Sequence, residues 1–106
     1  MDDCVFCKIV KKEMASEVEL ENEDFVVFKD TNPKAPVHLL IVPKIHTQDI
    51  RTLDGNLWDG IREIAINLAS KKNLTGFRLV HNAGDAAVVP HMHFHFLGQV
   101  AADREV

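Results

Sequence analysis

A chain of 106 residues, 46% hydrophobic and 26% charged, is the size of one domain. Such a domain covers roughly two-thirds of its unfolded surface on folding, without disulfides as its main support. The formal net charge of −4 argues against a general nucleic-acid role, because phosphate binding shows as a basic patch, although a local pocket for a small anion stays open. No apolar run approaches the roughly 20 residues of a membrane span, and the start, MDDCVFCKIVKK, lacks a basic leader and a small-residue cleavage site. The expectation is a cytoplasmic protein with neither a membrane nor a nucleic-acid polymer among its partners.

No repeat, low-complexity stretch or Pro/Gly/Ser linker divides the chain, so residues 1–106 read as a single domain. Asp3 reads as the N-cap of a helix running to about Lys12, with Phe6, Ile9 and Val10 on one face and Lys8, Lys11 and Lys12 suiting its C-terminal end. Val18 and Leu20 alternate with glutamates, and after the turn Asn22-Glu23-Asp24 the β-branched and aromatic run Phe25-Val26-Val27-Phe28 predicts a strand. Asp30 to Pro36 is a loop broken by prolines, and Val37 to Val42 is a strand stopped by Pro43. Leu57, Trp58, Ile61, Ile64, Ala65, Leu68 and Ala69 fall on one helical stripe ending near Lys71 and Lys72. Phe77 to His81 and His93 to Leu97 are the last two strands, the second stopped by Gly98. Helix, three strands, helix, two strands, with short connections, favours an antiparallel sheet with helices beside it, the α+β class.

The stretch HMHFHFLG, residues 91–98, carries three of the six histidines at every second position. On a strand such alternation points His91, His93 and His95 one way and Met92, Phe94 and Phe96 the other, a chemical face backed by a core face. The histidine row suits contacts along an extended anion; His-x-His also ligates zinc, and three histidines together are a catalytic zinc alternative. A row of surface histidines is the bland reading. Cys4-x-x-Cys7 at a helix start is a redox pair, half of a zinc site, or two small buried hydrophobes. A thioredoxin-like motif follows a strand within a βαβ unit, which residue 4 does not, and a closed zinc site needs two more ligands.

The run His91-Met92-His93-Phe94-His95-Phe96-Leu97 resembles the motif of the histidine triad nucleotide-binding proteins. The resemblance extends over nearly the whole chain, through Cys4 to Val10, Phe28-Lys29-Asp30, Ala35-Pro36-Val37-His38, Pro43-Lys44-Ile45-His46 and Asn82-Ala83-Gly84. The Leu97-Gly98 ending is similar to the Hint branch rather than the Fhit branch, whose triad runs into Pro-Arg.

The resemblance implies a five-stranded antiparallel sheet with two main helices, the sheet continuing across a homodimer, and a purine nucleotide site on each protomer. It implies a hydrolase of nucleoside 5′-phosphoramidates in which His93 attacks the α-phosphorus and forms a nucleotidyl-histidine that water then releases. Imidazole is nucleophilic when neutral near pH 7 and leaves readily once phosphorylated. His95 and His38 would donate to phosphate oxygens and adjust proton positions, Asn82 would contact the nucleotide, and Asp30 would accept from the ribose hydroxyls unless it serves only as an Asx-turn. Phe6, Ile9, Met14 and Phe28 fall where the family builds its purine pocket and equally read as ordinary core. Bacterial members with paired cysteines imply a structural zinc on Cys4, Cys7, His46 and His91; reduced cysteines without metal are the alternative.

The chain departs from the family pattern just ahead of the triad. Asp85-Ala86-Ala87-Val88-Val89-Pro90 stands where the family carries a Gly-Gln pair and a polar residue, so two side-chain donors are missing. Loss of one oriented transition-state donor costs about 10²–10³ in rate. His81 is also unusual, and reads as a solvent-facing strand histidine or as a source of polarity from another direction. Gln99 to Val106 lacks the family's tryptophan-containing tail. Two further readings therefore stand beside the phosphoramidase: a nucleotide-binding regulatory dimer with little turnover, and a dinucleoside polyphosphate hydrolase.

Overall fold

The computed structural model describes residues 3–103, which form helix α1 (Val5–Val10), strands β1 (Val18–Glu21), β2 (Phe25–Lys29) and β3 (Val37–Pro43), helix α2 (Trp58–Lys71), and strands β4 (Phe77–Val80) and β5 (Phe94–Gly98). Short 3-10 turns precede α2 at Gly55–Leu57 and β5 at Gly84–Ala86. All five strands join one antiparallel sheet in the order β1-β2-β3-β5-β4. The expected α+β class, with five antiparallel strands and two main helices, is the observed one.

The two helices end by the same device. Lys12 adopts φ 65° and Asn73 φ 55°. Behind Lys12, Glu13 N–H donates to Lys8 C=O at 2.8 Å; behind Asn73, Leu74 N–H donates to Ala69 C=O at 2.8 Å. These are Schellman ends, which satisfy carbonyls a helix terminus leaves open. The start of α1 differs from the sequence reading. Cys4 rather than Asp3 is the N-cap, its Sγ accepting from Cys7 N–H at 3.4 Å.

Strand alternation divides the sheet into two unequal faces. On one face Phe25, Val27, Leu39, Ile41, Phe94 and Phe96 meet Ile61, Ile64, Ala65 and Leu68 of α2, with Met92 joining them. Full burial of such a side chain contributes about 1.5–3 kcal/mol. The helix approaches closely, since a Cβ at Gly60 would stand 2.7 Å from the Phe25 ring. On the other face Val26, Phe28, Leu40 and Val42 meet Phe6 and Ile9 of α1. A helix of 6 residues cannot cover a five-stranded face, so much of this side stays open. No helix among the described residues is long and apolar enough to cross a membrane.

The final strand begins later than its alternation predicts. Only His95 of the three histidines lies within β5; His91 and His93 belong to an irregular lead-in. The ladder ends at Val80 opposite His95 on the β4 side and at Ile41 opposite Phe94 on the β3 side, so neither neighbour pairs with His93. The lead-in is held instead by Met92 N–H donating to Thr47 C=O at 2.7 Å. The facing pattern survives this loss of ladder, because Met92 remains fully buried under α2 while the histidines keep to the opposite side.

Candidate functional site

The open part of the α1 face is a cavity of about 1080 Å³. Phe6, Ile9, Met14 and Phe28 form an apolar part of its wall, and Asp30, His38, Asn82, His93 and His95 contribute polar groups. Phe6, Ile9 and Phe28 also pack in the second core, so pocket and core are one set of side chains here, while Met14 is exposed.

Main-chain partners decide which nitrogen each histidine presents. A carbonyl only accepts, and a backbone N–H only donates. His93 Nδ1 lies 2.7 Å from the His91 carbonyl, so Nδ1 carries the hydrogen and Nε2 keeps its lone pair. His38 Nδ1 accepts from Lys34 N–H at 2.9 Å, so its hydrogen sits on Nε2, which donates to His95 Nδ1 at 2.9 Å. The remaining hydrogen of a neutral His95 is then on Nε2. Asp30 Oδ2 lies 3.3 Å from His38 Nε2 and 3.8 Å from His95 Nδ1. Its other oxygen accepts from Asn32 N–H at 2.8 Å, so Asp30 forms the Asx-turn and faces the histidines at once. Burial lowers the pKa of His93 and of His95 below the ordinary histidine value, His93 with its bond to the His91 carbonyl opposing the shift. Both imidazoles are thereby held neutral.

A second cluster lies behind Phe6, whose ring stands edge-on to both His91 and His93, with centroids 5.8 and 5.1 Å away. His91 Nε2 donates to the Pro43 carbonyl at 2.9 Å, which leaves the Nδ1 lone pair facing Cys4 Sγ at 3.4 Å and Cys7 Sγ at 3.5 Å. His46 Nδ1 lies 3.2 Å from Cys7 Sγ. These four ligand atoms lie within 4.8 Å of one another. Tetrahedral zinc with sulfur at about 2.3 Å and nitrogen at about 2.0 Å places S and N about 3.5 Å apart, so the set fits zinc. A histidine whose other nitrogen donates to a carbonyl is the ordinary form of a metal ligand. Without an ion, burial is the main cause raising the Cys7 thiol pKa, reinforced by Cys4.

Asp30, His38 and His95 are equally close together, yet they are a poor metal site. The hydrogen on His38 Nε2 occupies the position a metal would need. The catalytic zinc alternative on His91, His93 and His95 fails on direction, since His91 turns Nδ1 toward the cysteines while His93 turns Nδ1 toward the His91 carbonyl.

Two sets of contacts were not visible in the sequence. Asp49 is 1% exposed and accepts from Arg51 N–H and Nε at 2.9 Å each, from Arg51 Nη2 at 2.6 Å, and from Gly84 N–H at 3.2 Å. The Arg51 bonds, above all, hold the Asp49 carboxyl well below the usual carboxylate range. Gly84 has φ 58°, and a Cβ there would meet Arg51 Nη2 at 3.2 Å, so this turn requires glycine. His81 is not a solvent-facing strand residue: it follows the end of β4, is half-buried, and has both ring nitrogens against main-chain groups. Neither feature has a periodic signal, because each joins loops far apart in sequence. Ahead of the triad, Val88 is 97% exposed at the cavity, and Val89 packs against the α1 core.

Residues 3–104 match the family model described as "Scavenger mRNA decapping enzyme C-term binding". The chain is 37% identical over 108 residues to "Protein HitA" of Neisseria gonorrhoeae, covering 92% of this chain and 97% of that one. It is 37% identical over 101 residues to "Adenosine 5'-monophosphoramidase HINT3" of Danio rerio, covering 89% of this chain and 63% of the relative. Among solved structures, a "HIT family hydrolase" from Clostridium thermocellum superposes with TM-score 0.92 at 35% identity, covering 100% of this chain and 98% of that one. A zinc-bound histidine triad family protein from Mycobacterium smegmatis superposes with TM-score 0.85 at 26% identity, covering 97% and 79%.

Proposed function

The chain belongs to the histidine triad family, and from that premise we propose that it hydrolyses a purine nucleoside 5′-phosphoramidate at the α-phosphate through a nucleotidyl-histidine on His93. The observation that carries this reading is the tautomer of His93: its Nδ1–H is held by the His91 carbonyl, and the nucleophilic Nε2 is left for the substrate. The relative named as an adenosine 5′-monophosphoramidase supports the substrate class.

Nε2 of His93 attacks phosphorus and the P–N bond breaks, while His95 Nε2–H hydrogen-bonds the departing nitrogen, which takes its proton from water. Water then attacks the phosphorylated His93, its proton passes to solvent, and the nucleoside monophosphate is released. His38, expected to donate to phosphate itself, instead commits its one hydrogen to His95 Nδ1 and orients that ring, leaving His95 Nε2–H as the donor toward the reacting phosphoryl group. Asp30 and Asn82 take the ribose and phosphate side, and the wall of Phe6, Ile9, Met14 and Phe28 takes the base. Cys4, Cys7, His46 and His91 would hold zinc, which would brace α1 and the triad lead-in.

The assembly that fits this reading is a homodimer. β4 is one of the two sheet edges, and beside it Trp58, Ile66, Phe77 and Leu79 are all more than one-third exposed around an apolar groove. A second copy pairing along β4 would cover both edge and groove. Phe77→Glu is expected to give a monomer by light scattering; an unchanged mass would place the interface elsewhere.

Val88 and its alanine neighbours favour a second reading, a nucleotide-binding dimer with little turnover. Mass spectrometry after brief mixing with adenosine 5′-phosphoramidate separates the two. A nucleotidyl adduct on His93 and released monophosphate are expected, and intact substrate with bound nucleotide would leave only the binding role.

A further inference from the structure

Where β4 gives out, a side chain takes over from the backbone. Val80 is the last β4 residue paired with β5, opposite His95, and one step further His81 Nδ1 lies 2.9 Å from the carbonyl oxygen of His93. Its other nitrogen, Nε2, lies 3.0 Å from Ile50 N–H. The amide can only donate, so Nε2 accepts, and Nδ1 of the neutral ring carries the hydrogen that goes to the carbonyl. The ring is steadied by Phe94, 5.2 Å away between centroids. The result is a continuous line of hydrogen bonds, from Ile50 N–H through His81 to the His93 carbonyl, while the His93 ring is bonded in turn to the His91 carbonyl.

We propose that His81 is a positioning residue for the nucleophile, holding the main chain of His93 where no strand neighbour does and so fixing the direction of His93 Nε2. This rests on the reading of His93 as nucleophile. The position demands one donor and one acceptor on a rigid frame, which a neutral imidazole supplies and an aliphatic strand residue does not. The same loop also holds Gly84 through Asp49 and Met92 through the Thr47 carbonyl, so His81 anchors to a segment that is itself fixed. A displacement of His93 of the order of 1 Å would remove the attack geometry without emptying the nucleotide pocket.

The test compares wild type with His81→Ala, His81→Asn and His81→Gln. It reads kcat and KM for adenosine 5′-phosphoramidate, affinity for AMP, and the ¹⁵N shifts of the His93 ring. The asparagine amide stands near the place of Nδ1 and can donate to the His93 carbonyl, whereas the glutamine amide stands nearer Nε2 and favours Ile50. Alanine and glutamine are expected to lower kcat about 10-fold with AMP affinity within about twofold, and asparagine to recover most of the loss. In wild type the His93 shifts should show hydrogen on Nδ1 alone, and in His81→Ala an average of two tautomers. Unchanged kcat and unchanged His93 shifts in His81→Ala overturn the proposal. So does a parallel fall in kcat and AMP affinity that asparagine does not rescue, which marks a merely structural histidine. A wild type without turnover overturns the hydrolase reading, and the His93 shifts then still decide the role of His81.

Discussion

His91 and His93 are separated by one methionine, are both buried, and flank the same phenylalanine ring. Yet His91 offers Nδ1 to two cysteines while His93 is left with Nε2 for the cavity. The difference comes from carbonyls. Pro43 takes the Nε2 hydrogen of His91, and His91 itself takes the Nδ1 hydrogen of His93. Two identical side chains with lowered pKa values thus acquire opposite tautomers, and with them different chemistry, from the main chain around them. Residue type sets what a histidine can do, and its backbone partner selects which of those things it does.

The comparison is most sharply broken by substituting each histidine in turn. His93→Ala should cut phosphoramidate hydrolysis by about 10⁴-fold or more, as loss of a nucleophile does, while zinc content stays at that of wild type. If zinc is lost as well, the two clusters are not separable. His91→Ala or Cys4→Ser should do the reverse first, releasing zinc by elemental analysis and lowering Tm by more than about 10 °C, since structural zinc contributes directly to folding. Chelator treatment of wild type should reproduce that shift, and an unchanged melting curve would remove the metal from the account.

A pH series sharpens the comparison with a smaller effect. Burial lowers the pKa of His95, so the folded state binds that proton less readily than the unfolded chain. The contribution of His95 to stability is therefore present above the unfolded value of about 6.5 and is lost as pH falls through the lower folded value. Protonation also fills Nδ1, which accepts from His38. Hydrolysis should hold its plateau to somewhat below pH 6.5 and then decline; a midpoint above the ordinary histidine value would contradict the burial argument. The smallest effect is expected for Asp49→Ala, which frees Gly84 and Arg51 together. Tm should fall by a few degrees, with turnover reduced several-fold at constant AMP affinity. A change in zinc release instead would show that the loop serves the metal cluster alone.

Much of this arrangement was legible in the sequence because it rests on local patterns. Continuous β-branched and apolar runs gave β2 and β3, the alternation around the histidines gave the core face carrying Phe94 and Phe96, and the stripe from Leu57 to Ala69 gave α2. The set Cys4, Cys7, His46 and His91, proposed through family resemblance, is brought together within reach of one ion. What could not be read depends on contacts across loops. The N-cap moved to Cys4 because its sulfur, not the preceding carboxylate, meets the free N–H of Cys7. The start of β5 moved to Phe94 because its ladders end at Ile41 of β3 and Val80 of β4, facts about two other segments. His81 and Asp49 looked like isolated polar residues because their partners are carbonyls and amides, which carry no signature in the one-letter code.

The loop from His46 to Ile50 carries a further consequence. Loops are ordinarily where a chain admits extra residues without harm. Here a segment with no regular secondary structure has successive residues committed to different destinations: His46 to the cysteines, the Thr47 carbonyl to Met92, Asp49 to Gly84 and Ile50 to His81. One inserted residue would put every later bond out of phase. In a family alignment this stretch should behave like core, constant in length.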